Sequence, residues 1–423
     1  MLVENLESRR LLAVTALHFH GALQVWGDSG NNGISVEKSG SNLLVKAYIS
    51  GAYSTIYTAP DADVSIIYIQ GFAGLDTISV NNNVTDKVVA YGGAGNDYIK
   101  GGGGQNELWG HGNAPSIPGS DPASDDSSAD YILGGTGYNI LRGQKGNDTL
   151  FSQMDGSTTD ANYDIMRGDD GNDTFYVNGK GTGIAYAFGG AGNDTVRPQN
   201  TNQKAYFYGD AGYDTVDFGD FGQSVYAKIN TAAFSGPRNN TAARKQVIVN
   251  NFEVIKATNF DDYLSGSDGA NTLFGVGGKD KIYGNGGADL LFGGAQDDEI
   301  FGGNGNDSLF GEAGNDTLSG ENDNDLVSGG NGLDAIYGGA NNDTLYGDND
   351  SDAIYGGTGS DVLTGGAGAD FFNSHDGTVL NDVIYGGNQD GSGNGGGVLD
   401  VAYIDRTSAV FTDLTFGIES VSF

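Results

Sequence analysis

Aspartate recurs at a spacing of nine residues through 257–373, and it is the residue type most able to do chemistry in this chain. Two successive copies are Gly302–Phe310, with the sequence GGNGNDSLF, and Gly311–Ser319, with the sequence GEAGNDTLS. We number the nine positions 1 to 9, so Asp307 and Asp316 occupy position 6. A carboxylate is a hard oxygen ligand for cations and a potential general acid or base. The spacing therefore offers either metal binding or acid–base chemistry.

The repeat is continuous over thirteen copies, without insertion. Position 1 is Gly in twelve of the thirteen, and position 6 is Asp in twelve, with Asn271 as the exception. Position 8 is Leu, Ile or Val in twelve, and Phe372 is the last. Three columns that hold over 117 residues indicate one structural unit repeated along the chain.

Each repeat has two physical halves. The first six residues are rich in Gly, Asn and Asp, which tolerate positive φ and favour turns. The last three have one apolar residue between two others, which is the pattern of a short strand with one inward side chain. Two repeats make a flattened coil of 18 residues, and stacked coils predict an all-β fold, a parallel β-roll or β-solenoid with irregular end caps. The expected core is position 8: Leu264, Leu273, Ile282, Leu291, Ile300, Leu309, Leu318, Val327, Ile336, Leu345, Ile354 and Leu363.

Residues 18 apart stack on the same edge of such a coil, so the aspartates form two columns. One is Asp262, Asp280, Asp298, Asp316, Asp334, Asp352 and Asp370, and the other is Asn271, Asp289, Asp307, Asp325, Asp343 and Asp361. Carboxylates about 5 Å apart repel by about 3 kcal/mol per pair at an effective dielectric near 20. The fold therefore requires cations between successive coils.

The ligand types select the cation. Carboxylates with backbone carbonyls exposed by Gly turns suit Ca²⁺, whereas Zn²⁺ and Cu²⁺ prefer thiolate or imidazole, and Mg²⁺ demands stricter octahedral geometry. Residues 257–373 hold 21 acidic residues against Lys279 and Lys281, a net charge of −19. Eleven Ca²⁺ ions, about one per gap, would carry a matching charge.

The pattern Gly-Gly-x-Gly-x-Asp-x-aliphatic-x resembles the RTX (haemolysin-type) calcium-binding repeat family. The resemblance implies a parallel β-roll that binds several Ca²⁺ ions through position-6 Asp and turn carbonyls, and a protein that is secreted and folds outside the cell. Position 4 departs from the family's Gly at five residues, where calcium is expected with altered geometry or not at all: Phe260, Gln296, Asp323, Asn341 and Asp350.

Broken copies of the motif extend the prediction toward the N-terminus. They place metal ligands at Asp97, Asp148, Asp173, Asp194 and Asp214. The expected organisation is an export-associated segment at 1–14, a β-strand cap at 15–70, an irregular solenoid at 71–217, a spacer at 218–256, the regular roll at 257–373 and a second cap at 374–423.

Residues Leu6–Leu12 resemble the Leu-Glu-Pro-Arg-x-Leu-Leu motif of exported planctomycete proteins, with Ser8 in place of Pro. This resemblance implies an extracellular or cell-surface location. The net charge of −35 excludes a nucleic-acid binder, and the absence of Cys excludes disulfides and thiolate sites. No apolar run is long enough to span a membrane.

We therefore expect a non-enzymatic calcium-binding structural or interaction protein. The chain has neither a His-Glu-x-x-His nor a Gly-x-Ser-x-Gly motif. One alternative is an adhesin that binds extracellular polysaccharide or cell-surface components through aromatic ladders at position 9, which include Phe301 and Tyr337. The other is a polysaccharide-acting enzyme on the solenoid surface. The simpler interpretation of the ladders is that stacked rings stiffen the sheets.

Overall fold

A computed structural model describes residues 14–49, 51–112, 127–154, 163–179, 184–199, 204–230, 245–374, 382–387, 400–403 and 418–422. The chain divides into two compact units, Met1–Gly212 and Tyr213–Phe423, and each is described by itself. In the described residues, regular structure is β-strand except for one 3₁₀ turn at Asp61–Asp63. None of the described residues forms a helix long and apolar enough to cross a membrane.

The strands of the first unit are β1 (Thr15–Phe19), β2 (Ala22–Trp26), β3 (Gly33–Ser39), β4 (Asn42–Ile49), β5 (Ala52–Pro60), β6 (Ile66–Ala73), β7 (Thr77–Val80), β8 (Lys87–Ala94), β9 (Tyr98–Lys100), β10 (Asn106–Trp109), β11 (Tyr131–Leu133), β12 (Asn139–Lys145), β13 (Thr149–Met154), β14 (Tyr163–Asp170), β15 (Thr174–Gly179), β16 (Ile184–Ala191), β17 (Thr195–Gln199) and β18 (Lys204–Ala211).

These strands form two sheets. One has the order β1-β2-β6-β8-β10-β12-β14-β16-β18, and the other has the order β5-β4-β3-β7-β9-β11-β13-β15-β17. Pairing is antiparallel only where β1 meets β2, β3 meets β4 and β4 meets β5. From β6 onward the pairs are parallel, because the chain moves from one sheet to the other at each turn.

The strands of the second unit are β19 (Thr215–Asp217), β20 (Val225–Asn230), β21 (Lys245–Asn250), β22 (Val254–Lys256), β23 (Tyr263–Ser265), β24 (Thr272–Gly277), β25 (Lys281–Gly286), β26 (Leu290–Ala295), β27 (Glu299–Asn304), β28 (Ser308–Ala313), β29 (Thr317–Asn322), β30 (Leu326–Asn331), β31 (Ala335–Ala340), β32 (Thr344–Asn349), β33 (Ala353–Thr358), β34 (Val362–Ala367), β35 (Phe371–Asn373), β36 (Val383–Tyr385), β37 (Asp400–Tyr403) and β38 (Ile418–Ser422).

The second unit confirms the predicted parallel β-solenoid. Odd-numbered strands from β23 to β37 form one sheet with β20, β21 and β38, and even-numbered strands from β22 to β36 form the other with β19. Strand partners are 18 residues apart within the regular block, as in the pair Ile300 and Leu318. The segment 218–256, expected as a spacer, supplies β20 to β22 to these sheets.

The core lies between the two sheets and consists of the position-8 side chains. All twelve predicted residues from Leu264 to Leu363, together with Phe372, are completely buried. Position-9 side chains lie on the outer face, where aromatic rings of neighbouring strands stack on each other. Examples are Phe274 on Phe292, with ring centroids 4.8 Å apart, and Tyr337 on Tyr355, also at 4.8 Å. Because this core is a single narrow layer between the sheets, the edges of each coil must be stabilised by interactions within the turns.

Candidate metal-binding turns

The turns at the coil edges have left-handed backbone at two fixed positions. In the turn Gly302–Asp307, Gly303 at position 2 has φ 115° and Gly305 at position 4 has φ 119°. Positions 2 and 4 are left-handed in all eleven turns from Gly275–Asp280 to Gly365–Asp370. We call a turn with Asp at position 6 and this backbone an open turn. In the first unit, the turns that end at Asp76, Asp97, Asp148, Asp173 and Asp194 are also open.

Non-glycine residues at position 4 do not change the open turn. Gln296, Asp323, Asn341 and Asp350 have φ between 72° and 81°. Asn and Asp reach this region more readily than other non-glycine residues. The altered geometry expected at these four repeats is therefore not seen in the backbone.

One oxygen of each position-6 carboxylate links successive coils. The backbone N–H of a position-6 residue donates to Oδ1 of the Asp one coil later, at 2.7–3.0 Å through the regular block. The same bond joins Asp76 to Asp97 and Asp148 to Asp173 in the first unit. This ladder fixes the carboxylates in a column at each edge.

The second oxygen, Oδ2, is buried and lacks a hydrogen-bond donor in many of these residues. They are Asp76, Asp148, Asp173, Asp280, Asp289, Asp298, Asp307, Asp316, Asp325, Asp334, Asp343 and Asp352. A β-carbon on Gly302 would lie 2.5 Å from Oδ2 of Asp307 and 2.7 Å from the carbonyl oxygen of Gly320, which is position 1 of the next coil. Oδ2 of Asp307 and this carbonyl oxygen thus converge beside the glycine, and only a donor or a cation satisfies the buried Oδ2.

Burial raises the pKa values of these carboxyls. The pKa rises to about 8 at Asp280, Asp325 and Asp352, and to about 7 at Asp298 and Asp343. Removal from water is the main cause, and backbone N–H donors oppose it only partly. A nearby cation would favour the charged form and reverse the shift.

The donor set of these turns fits a hard cation held largely by backbone. Among the described residues, no three side chains of Asp, Glu, His or Cys come together in a cluster. A bound cation must therefore take carbonyl oxygens in addition to the column of carboxylates. Carboxylate and carbonyl oxygens in a flexible arrangement are the ligands of Ca²⁺.

Comparison with protein-family models decides the class of the repeat. The model of the RTX calcium-binding nonapeptide repeat, which describes four copies, matches residues 89–114, 125–154, 181–197, 251–282, 283–318, 310–345, 319–354 and 346–379. The chain carries RTX calcium-binding nonapeptide repeats. No curated protein matches the sequence. The RTX matches fall in both compact units, and they include the regular block 257–373.

The RTX matches contain Asp97, Asp148, Asp194 and the predicted residues from Asp262 to Asp370, whereas Asp173 and Asp214 lie outside the matched ranges. The position-6 residues from Asp280 to Asp370 are all at least 97% buried. In the first unit, Asp97, Asp148, Asp173 and Asp194 share one edge. In the second unit, Asp214 is buried, and its N–H donates to Glu253 Oε2 at 2.7 Å. Their assignment as calcium ligands remains a prediction.

Asp262 differs from the other predicted ligands. Its Oδ2 accepts hydrogen bonds from the Thr258 N–H at 2.9 Å and the Thr258 hydroxyl at 2.7 Å. Thr258 and Phe260, at positions 2 and 4, are not left-handed. The turn that ends at Asp262 is therefore not an open RTX turn.

Three further aspartates belong to these columns and were not predicted as ligands. Asp76 follows Gly71 at the RTX spacing, which is a signal that the sequence contains. Asp130 accepts the Asp97 N–H at 2.8 Å although an insertion separates it from Gly110, the position-1 residue of its turn. Asp382 accepts the Asp361 N–H at 2.9 Å, 21 residues away. An insertion hides Asp382 from the nine-residue pattern, whereas Asp130 stands nine residues before Asn139 and eighteen before Asp148.

Position 5 forms a second ladder that the repeat pattern did not reveal. The side-chain oxygen of Asn306 accepts the Asn324 N–H at 3.1 Å, and Asn324 in turn accepts the Asn342 N–H at 2.9 Å. The same bond joins Asp297 to Asn315. Asn, Asp and Ser at position 5 therefore tie the outer rim of each turn to the next coil.

Proposed function

We propose that the position-6 aspartates of the open RTX turns bind Ca²⁺ and that the chain folds when calcium binds. The observation that carries this proposal is the buried Oδ2 beside the position-1 carbonyl of the next coil, as in Asp307 and Gly320. This arrangement repeats along both edges of the regular block. Without cations, the fold would bury columns of unpaired carboxylates, which is strongly unfavourable.

The proposal extends to a non-enzymatic structural or interaction role outside the cell. The RTX family match and the charge of −35 support a calcium-rich environment, because the chain needs many ions to fold. The segment Leu6–Leu12, which resembles an export motif, lies outside the described residues. A catalytic role is not needed to explain the buried carboxylates, since calcium binding accounts for them.

Calcium titration tests the proposal. We expect circular dichroism of the chelated chain to show loss of β-structure, and Ca²⁺ to restore it cooperatively, because binding energy becomes folding energy in such sites. Mg²⁺ at the same concentration is the control, and we expect it to restore little. An unchanged spectrum after exhaustive chelation would contradict the proposal.

A groove on the second unit favours a second candidate function, the binding of neutral polysaccharide. Its volume is about 310 Å³, and Tyr283, Phe301, Asn285, Asn304 and Glu321 line it. Tyr283 and Phe301 stack with centroids 5.0 Å apart, and strand pairing places the small Ser319 next along the ladder. Aromatic faces with amide and carboxylate groups around them suit a sugar ring and its hydroxyls.

Glycan-array binding of the calcium-loaded chain tests this second function. We expect Phe301→Ala to reduce binding at least tenfold, because it removes one of the two aromatic rings that line the groove. The matched control is Phe310→Ala, which removes a stacked ring of the other sheet that does not line the groove. Binding that is absent across the array, or lost equally in both variants, would count against it.

A further inference from the structure

Turns with Asn at position 6 have a different structure from the open turns. The described part of the first unit has three of them, which end at Asn32, Asn106 and Asn139, and all three side chains are buried. In these turns, neither position 2 nor position 4 is left-handed, although glycine occupies position 4 in each and position 2 in two of them. We call them closed turns. Glycine alone therefore does not decide the turn conformation.

The carboxamide fills the centre of a closed turn. Asn139 Nδ2 lies 3.1 Å from the carbonyl oxygen of Gly135 and 2.8 Å from that of Gly137, which are positions 2 and 4. It also lies 2.8 Å from Oδ1 of Asp164, one coil later. Its own Oδ1 accepts the Gly135 N–H at 3.0 Å. The Asn139 side chain thus supplies hydrogen-bond partners for N–H and carbonyl groups of its own turn.

Asn106 repeats this arrangement and joins it to the next coil. Its Nδ2 donates to the carbonyls of Gly102 at 3.2 Å and Gly104 at 2.9 Å. It also donates to Oδ1 of Asn139 at 2.8 Å. Amide donor therefore meets amide acceptor along this edge, where the open turns would place one carboxylate above another.

Asn32 Nδ2 is surrounded by oxygens of its own turn and of the next coil. Its Nδ2 donates to the carbonyls of Asp28 and Gly30, at positions 2 and 4. It also lies 3.4 Å from the Gly71 carbonyl, position 1 of the next coil, and 3.1 Å from Oδ1 of Asp76. Four oxygens surround one nitrogen. In the open turn of Asp307, the acceptor Oδ2 lies beside the equivalent carbonyl, that of Gly320, and has no hydrogen-bond donor.

We propose that closed turns exclude calcium, and that the described open turns of the first unit, those of Asp76, Asp97, Asp148, Asp173 and Asp194, take Ca²⁺ along one edge. On the other edge, the turns of Asn106 and Asn139 are held by amide hydrogen bonds and need no metal, whereas Oδ2 of Asp164 beside them has no hydrogen-bond partner. This inference rests on calcium binding by the open turns. Where no other side chain of the turn supplies a donor, as Thr258 does for Asp262, the position-6 residue then decides whether the turn depends on calcium.

The start of the regular block follows the same rule. Thr258 supplies the donors to Asp262, and Asn271 Oδ1 accepts the Ser267 N–H at 2.7 Å and the Ser267 hydroxyl at 3.1 Å. Neither turn has left-handed backbone at positions 2 and 4. The proposal therefore removes Asp262 from the calcium ligands and begins the calcium columns at Asp280 and Asp289.

Counting bound calcium in full-length variants tests this inference. Equilibrium dialysis against CaCl₂, with calcium measured by atomic absorption, gives the number of ions per chain. We expect Asp173→Asn to remove at least one ion. We expect Asn139→Ala to leave the number unchanged and to lower the thermal midpoint in the presence of chelator as well as in calcium. Loss of an ion in Asn139→Ala would overturn the proposal.

The reverse substitution provides a second test that does not depend on the stability of Asn139→Ala. Asn139→Asp replaces the amide donor by an acceptor next to Asp164, so we expect the number of bound ions to rise by at least one. An unchanged or lower number would show that the amide is not what excludes calcium. If the wild-type chain binds no calcium at all, the proposed function fails, whereas the inference fails when Asp173→Asn and Asn139→Ala lose ions equally.

Discussion

Single residues in this solenoid hold backbone conformations that their side chains disfavour. Val276 occupies position 2 of an open turn with φ 81°, and a β-branched residue rarely adopts positive φ. The following repeat places Asn285 at the equivalent position, with φ 76°. Because Asn tolerates this region, the strain at Val276 belongs to its side chain and not to the turn.

Replacing Val276 by Asn tests this point. We expect Val276→Asn to raise the free energy of unfolding by about 1 kcal/mol, since the left-handed conformation costs an ordinary L-residue about 1–2 kcal/mol. The measurement is the thermal midpoint in saturating calcium. Thr317→Asn, in strand β29, is the control, and it should not stabilise the fold because Asn is unfavourable in strands. Equal midpoints for Val276→Asn and the wild type would argue against strain at this residue.

At the scale of the turn, position-1 glycine has a packing role and not a conformational one. Gly302 is not left-handed, but a β-carbon there would lie 2.5 Å from Asp307 Oδ2 and 2.7 Å from the Gly320 carbonyl. Gly277, at position 3, would place its β-carbon no closer than 3.6 Å to any neighbour. Glycine at position 1 therefore leaves room for the groups that are proposed to hold calcium.

Alanine substitution at these two glycines separates the roles. We expect Gly302→Ala to lower the free energy of unfolding by about 1–3 kcal/mol, as overpacking does, and to weaken calcium binding. Gly277→Ala should be neutral or stabilising by up to about 1 kcal/mol, because it restricts the unfolded chain without a clash. Calcium-dependent thermal unfolding measures both. Similar midpoints for the two variants would contradict a specific role for position 1.

For the whole molecule, the charge of −35 and the thin core have one common consequence. The position-8 side chains supply a single buried layer between the sheets, and the edges bury columns of carboxylates whose pKa values burial raises, to about 8 at Asp280. Unfolding on chelation is expected for the whole molecule, because the proposed ions would join each coil to the next. Monovalent salt should not replace calcium, since salt screens buried charges only weakly.

The sequence by itself determined the coil of two repeats, the buried layer and the columns of Asp280 and Asp289. The reason is that a nine-residue period fixes which residues stack 18 apart, and side-chain type then fixes which face is apolar and which edge is acidic. The pattern also indicated calcium, because hard oxygen ligands without thiolate or imidazole leave few other choices. It did not determine the strand length, because the strands predicted over positions 7 to 9 continue to position 3 of the next repeat, as in β27 (Glu299–Asn304).

Only the tertiary structure decided which turns are open. Asn139 and Asp148 occupy the same repeat position, but one side chain donates to the turn carbonyls and the other lacks a donor for Oδ2. That difference depends on contacts between coils 18 to 33 residues apart, and on insertions such as the one before Asp130, which a local period cannot describe. The spacing thus defined the two edges. The hydrogen bonds determined in which turns a side chain donates to the turn carbonyls, and in which turns a carboxylate oxygen lacks a donor and is proposed to bind a cation.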